Sequence, residues 1–344
     1  MENAKEVRKI MPMSSIDFGE IAAKWNDKFN RDISNRSDQW RLMAYPVMPG
    51  KQTTRVALVF EQEIRVNEPE CTSLYKYRVL LYDMTVEPVL INSSEFQFKD
   101  WRVYTAWFLK GQLYVTMVDE DKRFDVIKIC GEGNEKVLSL GRFVTDVSVT
   151  TRGDIVVGYD CCADDDDNRE PLIMFERGKG SKSLESPDAI TCEAACIDSN
   201  DNIWAYVKPY NAICHMEGDK YETFPIKLNG FTGIGVSDDG KLLLGSIGYK
   251  YYGTRLYAFR RNEEDIFSEG IEVVLDTGEE EDEDADAGEN ESGGSRTVDR
   301  KVVSAAFAGN KAVFRKGSKL YMCNINELEM VVQEDESDVK KESE

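Results

Sequence analysis

The sequence predicts an all-β fold, a six-bladed β-propeller of four-stranded blades with one N-terminal amphipathic helix. Three observations support this prediction. Short runs of alternating apolar residues pair across tight turns from Trp40 to Val332. Inner and outer hairpins alternate along the chain, so that units of two hairpins recur at roughly 40–50 residues. Small residues recur in the first strand of several units, and that strand lies closest to the axis of a propeller.

Residues 230–248 form the clearest unit. Ile234 and Val236 alternate toward a turn that ends at Gly240, which can take the positive φ that a tight turn needs, and Asp238 can bond the backbone of the turn. The inner hairpins lie at residues 39–60, 101–119, 145–160, 192–207, 230–248 and 303–317. Each is followed by an outer hairpin, at residues 77–91, 124–140, 172–184, 212–226, 255–275 and 319–332.

The small residues of the first strands favour a ring over other β architectures. They are Ala194, Ala195, Gly233, Gly235, Ala305 and Ala306. A pair of β-sandwiches would explain the strands but not the alternation of two hairpins, and a seven-bladed ring remains an alternative. Complete units run to Val332, which predicts a ring that closes between complete blades; the segment Val7–Met13 could instead add an edge strand.

Several turn and strand sequences resemble those of known propellers. The turns SDDGK (237–241) and NDNIW (200–204) are similar to turns of β-propellers in general. IVVGYD (155–160) and NIWAYVKPYN (202–211) resemble consecutive blades of uncharacterised bacterial six-bladed propeller proteins. The resemblance covers about residues 100–275 and implies a fold but no activity.

Three stretches fall outside the repeat. Residues 1–38 are predicted to form an N-terminal extension with a helix near 16–30, capped by Ser14 or Ser15. Residues 39–332 form the predicted propeller, with an acidic disordered insertion at 276–300 between blades five and six. Residues 333–344 are predicted to be a charged disordered tail.

The charge of the chain narrows the choice of partners. Its 344 residues contain 43 Lys and Arg against 64 Asp and Glu, a formal net charge of −21. Such a chain repels phosphates and anionic lipid, so nucleic acid and membrane surfaces are excluded as expected partners. The first 15 residues have no apolar core of the kind a secretory signal needs. We therefore expect a cytoplasmic monomer with reduced thiols, of which Cys161 and Cys162 are the candidates for exposure.

Acidic residues concentrate in connections that leave one face of the predicted ring. This pattern predicts a non-catalytic scaffold that docks a basic protein partner, although acidic loops can also serve solubility alone. The opposite face is expected to be mildly basic. The predicted docking residues are Glu61, Glu63, Glu68, Glu70, Asp119, Glu120, Asp121, Asp164, Asp165, Asp166 and Asp167.

The alternative function is a metal-dependent small-molecule hydrolase that uses the central channel. Its candidate residues at the channel mouth are Asp146 and Glu193, with Thr145 and Thr232 nearby. Two carboxylates are few for a metal site, so no catalytic residue is assigned.

Other candidate sites have simpler structural explanations. His215 is the only histidine, which excludes multi-histidine metal sites. Cys192 and Cys196 on one strand would lie about 13 Å apart, too far to share an ion. Residues 198–202 resemble the start of a calcium loop but lack its glycine and its final glutamate, so a hairpin turn is expected. No cofactor is expected, apart from weak Ca²⁺ binding by the run at 164–167.

Overall fold

The computed structural model shows six blades arranged in a ring. Five of the six sheets have four strands and the remaining sheet has six. The structure describes residues 5–26, 39–48, 54–65, 73–85, 87–130, 133–161, 170–184, 191–209, 211–218, 220–227, 230–249, 253–262, 266–267, 270–277 and 304–333.

The four strands of each blade run antiparallel from the axis outward, and a further strand is added in parallel to the outside of blade five. Before blade one come β1 (Lys5–Ile10), β2 (Pro12–Asp17) and the helix α1 (Phe18–Asn26). Blade one consists of β3 (Arg41–Ala44), β4 (Arg55–Arg65), β5 (Ser73–Asp83) and β6 (Val89–Lys99). Blade two consists of β7 (Arg102–Leu109), β8 (Gln112–Val118), β9 (Phe124–Lys128) and β10 (Glu135–Gly141). Blade three consists of β11 (Val144–Val149), β12 (Ile155–Tyr159), β13 (Leu172–Glu176) and β14 (Gly180–Ser183).

The second half of the ring contains the larger sheet. Blade four consists of β15 (Thr191–Ile197), β16 (Ile203–Lys208), β17 (Ala212–Glu217) and β18 (Lys220–Pro225). Blade five consists of β19 (Phe231–Val236), β20 (Leu242–Tyr249), β21 (Gly253–Arg260) and β22 (Ile271–Leu275), extended outward by β1 and then by β26 (Glu329–Gln333). Blade six consists of β23 (Ser304–Ala308), β24 (Lys311–Lys316), β25 (Lys319–Asn324) and, outermost, β2.

The ring is closed by β2, which is distant in sequence from its partner strand β25. It pairs antiparallel with β25, and Ser15 lies opposite Tyr321. β26, which the sequence predicts as the outer strand of blade six, instead pairs with β1 in blade five. The expected closure between complete blades is therefore wrong. The alternative, in which Val7–Met13 adds an edge strand, is correct to the extent that β1 is added to blade five. A 3₁₀ turn at Ile325–Glu327, in which Ile325 is buried, separates β25 from β26.

The predicted amphipathic helix is confirmed, and it begins at Phe18, two residues later than expected. Ser14 and Ser15 belong to β2, and the carboxylate of Asp17 accepts a hydrogen bond from the Glu20 backbone N–H at 3.0 Å. Asp17 is therefore the capping residue, as the side chain of an N-cap bonds an early N–H of the helix. α1 ends at Asn26, and residues 27–38 lie outside the described part of the chain.

The apolar side of α1 packs on blade one. The ring of Trp25 contacts those of Trp40 and Phe60 edge to face, with centroids 5.7 Å and 5.0 Å apart. The guanidinium of Arg78 lies over both tryptophans, at 4.6 Å and 4.7 Å from their ring centroids. Aromatic packing and cation–π contacts thus hold the helix against the ring.

The glycines of β19 make room for an aromatic side chain of the next blade. A Cβ at Gly235 would lie 2.7 Å from Phe307 Cδ1, and one at Gly233 would lie 3.0 Å from Phe307 Cε2. The predicted role of these glycines, space near the axis, is confirmed. The turn at Gly309 joins blade six to blades four and five, because its N–H donates to Ile197 O at 2.8 Å and its carbonyl accepts from Val236 N at 3.2 Å.

Candidate functional surfaces and the axial channel

The innermost strands of blades one to five each carry a bulge at the same place, near the start of the strand. In each case one residue of the innermost strand has no partner on the second strand, and the bulge changes the direction of that residue's side chain. The bulged residues are Met43, Tyr104, Thr145, Glu193 and Thr232. Three of the four predicted channel-mouth residues are thus equivalent positions of consecutive blades. Met43 and Tyr104 are the equivalents that the sequence analysis missed, and aligning the five strand starts would have found them.

The three polar bulge residues predicted from sequence are engaged within the protein. Thr145 Oγ1 donates to the carbonyl of Cys192, and Glu193 forms an ion pair with Lys208. Thr232 Oγ1 donates to the carbonyl of Ser246 at 3.2 Å. These side chains therefore connect strands and do not converge on one point.

Asp146 is the carboxyl group that faces the axis. Its two oxygens accept hydrogen bonds from the backbone N–H groups of Val147, at 2.8 Å, and Ala195, at 2.7 Å. Burial raises the pKa of Asp146 to about 6, although the two N–H donors act in the opposite direction. The neighbouring phenol of Tyr104 donates to the carbonyl of Thr145 at 2.9 Å. Burial and the charge of Asp146 raise the pKa of Tyr104, so this phenol stays neutral.

This arrangement gives no support to a metal-dependent hydrolase. Asp146 and Thr232 line the axial cavity, whereas Thr145 and Glu193 do not. Within the residues that the structure describes, no group of three His, Cys, Asp or Glu side chains is placed to hold a metal ion.

Glu61, one of the predicted docking residues, is enclosed in the protein. Its side chain is 0% exposed, and one oxygen accepts from Arg41 Nη2 at 2.8 Å and from Arg102 Nη2 at 3.0 Å. The other oxygen accepts from the Tyr77 hydroxyl at 3.0 Å. Burial would raise the pKa of Glu61, but the bonds from Arg102 and Arg41 hold it below the usual value. Glu61 therefore joins blades one and two and is not available to a partner.

The remaining predicted docking residues divide into two groups. Glu63 is partly exposed beside Arg41, and Asp119 accepts from the Arg123 backbone N–H at 2.8 Å in the turn between β8 and β9. Glu120 and Asp121 are exposed in the same turn. The others lie outside the described residues: Glu68, Glu70, Asp164, Asp165, Asp166, Asp167 and most of the 276–300 segment.

The calcium-like segment at 198–202 is a hairpin turn, as expected. The carboxylate of Asp198 accepts from the backbone N–H groups of Asn200 and Asn202, at 2.8 Å and 2.9 Å, and from the indole N–H of Trp204 at 3.2 Å. Its oxygens are thus used by the turn itself. Asp201 reaches blade three, where it accepts from the backbone N–H of Thr151 at 2.8 Å.

Asp238, expected to bond its own turn, instead connects two blades. It accepts from the side-chain amides of Asn310 and Asn326, at 2.6 Å and 2.8 Å, both in blade six. Asp239 takes the expected role, since it accepts from the Lys241 backbone N–H at 3.0 Å. Asp238 and Asp239 therefore serve this hairpin and its contact with the next blade.

His215 occupies a structural position on β17. Its ring stacks on Trp204 with centroids 4.1 Å apart, and its Nδ1 lies 3.6 Å from Glu222 Oε2. The described geometry shows no nucleophile paired with this imidazole.

The thiols differ in exposure, which predicts the order in which they react. Cys130 and Cys161 are half-buried, whereas Cys192, Cys196 and Cys323 are buried, and burial raises the pKa of all three. Because the thiolate is the reactive form, we expect iodoacetamide to label Cys130 and Cys161 first. Peptide mass spectrometry over a time course measures this order, with guanidinium-unfolded protein as the fully reactive control. Equal rates at Cys161 and Cys192 would contradict the described packing. Cys71 and Cys162 lie outside the described residues.

Among the residues described, no helix has both the length and the apolar character needed to cross a bilayer.

Comparison with known proteins assigns neither a family nor a function to this chain. No protein-family model matches the chain, and no curated protein matches it in sequence. A chain in a crystal structure of the mitotic checkpoint complex is 10% identical with a TM-score of 0.45, over 94% of this chain and 96% of that chain. Hsv2 from Kluyvelomyces marxianus is 14% identical with a TM-score of 0.45, over 83% and 76%. TolB from Acinetobacter baumannii is 12% identical with a TM-score of 0.43, over 69% of this chain and 56% of that chain. None of these similarities bears on what the chain does, and the propeller fold rests on the strand order of the chain itself.

Proposed function

We propose that this protein is a non-catalytic scaffold that docks a basic protein partner on one face of its propeller. We call this the acidic face and define it by four connections. Three follow the second strand of a blade and one follows the fourth strand of blade five, so all four start from strand ends on the same side of the ring. They are residues 66–72, 119–123, 162–169 and 276–303.

The position of the acidic runs is the observation that carries the proposal. Residues 276–295 contain ten acids and no Lys or Arg, and Asp164 to Asp167 are consecutive. In the described part of this face, Glu120 and Asp121 are exposed. Clustered charge of one sign raises the rate of encounter with a partner of opposite sign and selects among partners.

The acids of the opposite face supply a contrast. Asp198, Asp201 and Asp238 accept hydrogen bonds within or between hairpins, so they have a structural explanation. Solubility alone would not require that acids without such a role be concentrated in connections on one side.

Quantitative affinity purification from the source cells tests the proposal. We expect D164N/D165N/D166N/D167N, combined with deletion of 279–291, to lose at least one basic partner by about tenfold or more. The same partner should dissociate as ionic strength rises toward physiological values and above, because exposed charges are screened.

A matched control removes the same number of charges as the fourfold substitution, from exposed acids elsewhere on the ring. The control variant is E87Q/E135Q/E217Q/E222Q, whose four side chains are exposed. It should retain the partner. If the acidic-face variant and the control recover the same set of proteins, the proposal is incorrect.

A further inference from the structure

A cavity of about 330 Å³ lies along the propeller axis, and every blade contributes to its wall. Much of the wall is small and apolar, with Ala106, Ala195 and Ala306 from three different blades. The ring of Phe307 also lines it. At about 30 Å³ for each water, this volume has room for a ligand of roughly ten non-hydrogen atoms.

Asp146 is the one acidic or basic side chain among the described residues that line this cavity. Backbone N–H groups from β11 and β15 hold its two oxygens in place. Each carboxylate oxygen has two acceptor positions, so both oxygens retain capacity for a further donor. Within the described residues, no Lys, Arg or His nitrogen lies within 4.0 Å of this carboxylate; the ion pairs found there involve other acids.

Asp146 is half-buried, and a carboxylate partly removed from water without a described cationic partner favours a ligand with a positive charge. Removing the charge from water is costly, and a cation within about 4–6 Å offsets that cost. The pKa of Asp146, raised to about 6, still leaves most of the group ionised at neutral pH.

We infer that the axial cavity binds a small organic ammonium ion, whose charged nitrogen pairs with Asp146 and whose apolar body packs on the alanines and Phe307. A metal ion fits this cavity less well, because the described wall supplies one carboxylate, whereas Ca²⁺ takes about six to eight oxygen ligands. The inference is independent of the proposed docking function, since it concerns the axis and not the acidic face.

Isothermal titration calorimetry of the full chain with three probes of similar shape tests the inference. The probes are 2-phenylethylamine, its neutral analogue 2-phenylethanol and the anion 3-phenylpropanoate. We expect the amine to bind about tenfold more tightly than the alcohol, in keeping with a charge-assisted hydrogen bond, and the anion not to bind. Adding CaCl₂ at constant ionic strength should leave the amine affinity unchanged; competition by Ca²⁺ would instead indicate an inorganic cation site.

Two variants and a pH series identify the group responsible. D146N should abolish the preference for the amine, whereas S148A, which alters another cavity residue, should retain it. For the wild type, affinity for the amine should fall by about tenfold between pH 7.5 and pH 5, because a carboxyl with a pKa of about 6 becomes protonated over that range. The other titratable groups facing Asp146 are Tyr104 on β7 and Cys192 and Cys196 on β15, and all three stay neutral there because their pKa values are raised.

Three outcomes would overturn the inference. They are equal affinity for amine and alcohol, an unchanged preference in folded D146N, and the absence of saturable amine binding up to about 10 mM. If D146N fails to fold, the pH series of the wild type still tests whether the carboxylate of Asp146 binds the amine.

Discussion

Replacing Glu61 by glutamine is expected to lower the free energy of unfolding by about 2–4 kcal/mol. The substitution leaves the guanidinium groups of Arg41 and Arg102 without the fully buried carboxylate that both of them contact. Removing one partner of a buried ion pair usually costs about 3–5 kcal/mol. The expected cost is somewhat lower here because the two arginine side chains are 52% and 44% exposed and can regain water.

Urea unfolding followed by circular dichroism measures this change. E63Q is the matched control on the same strand, since Glu63 lies 3.9 Å from Arg41 in a loose pair, and we expect a change within about 0.5 kcal/mol. Y77F removes a hydroxyl that donates to Glu61 and accepts from the Val103 N–H, and it should cost about 1–2 kcal/mol. If E61Q and E63Q have equal effects, Glu61 does not hold the two blades together.

The pH dependence of stability provides a second readout of Glu61. The pKa of Glu61 is lower in the folded protein than the ordinary glutamate value of 4.5, so its contribution to stability is fully present above that value. The contribution is lost as the pH falls through the lower, folded pKa. Wild type should therefore lose stability below about pH 4.5 more steeply than E61Q, which has no carboxylate to protonate.

Replacing Gly245 by alanine is expected to cost about 2–3 kcal/mol, because the new methyl group overlaps an aromatic ring. A Cβ at this position of β20 would lie 2.1 Å from Phe231 Cε1. The ring of Phe231 is 2% exposed and packs against Tyr206 and Phe259, with centroids 4.7 Å and 5.6 Å away. The ring has little space into which it can move.

G248A on the same strand is the control. Its Cβ would meet only the Thr232 methyl group, at 3.0 Å, and the residue is exposed, so we expect less than about 1 kcal/mol. A double-mutant cycle with F231L tests the mechanism: the double variant should be more stable than the sum of the single effects predicts. Equal destabilisation by G245A and G248A, or strict additivity with F231L, would refute the proposed clash.

Local patterns predicted the blades because each inner hairpin is encoded within a few residues. Ile234 and Val236 are buried and Gly240 takes a φ of 67°, as alternation and turn chemistry indicate. The pairing of β2 with β25 could not be predicted in this way, because no short-range pattern records which distant strand covers an edge. In the structure β2 fills the outer place of blade six, and the 3₁₀ turn at Ile325–Glu327 separates β25 from β26.

The candidate site was predictable in part for a similar reason. Strand position brought Thr145, Glu193 and Thr232 together as candidates, and they occupy equivalent bulges, but of these three Thr232 alone lines the axial cavity. Charge counting assigned Glu61 to the surface, since a count does not reveal that two arginines from other strands approach the same carboxylate. The isolation of Asp146 from any described cation also depends on three-dimensional neighbours that the sequence does not display.

The closure of the ring by β2 has a consequence for the order of folding during synthesis. Ser15 pairs with Tyr321, so one of the earliest strands to be made must wait for one of the latest before its blade is complete. Until then, β25 has an open edge, and an open strand edge is a template for pairing with other chains. Such a long-range closure also slows folding, because the two ends of a long loop must meet. Because β2 completes the ring, the chain is prone to aggregation until β2 has paired with β25.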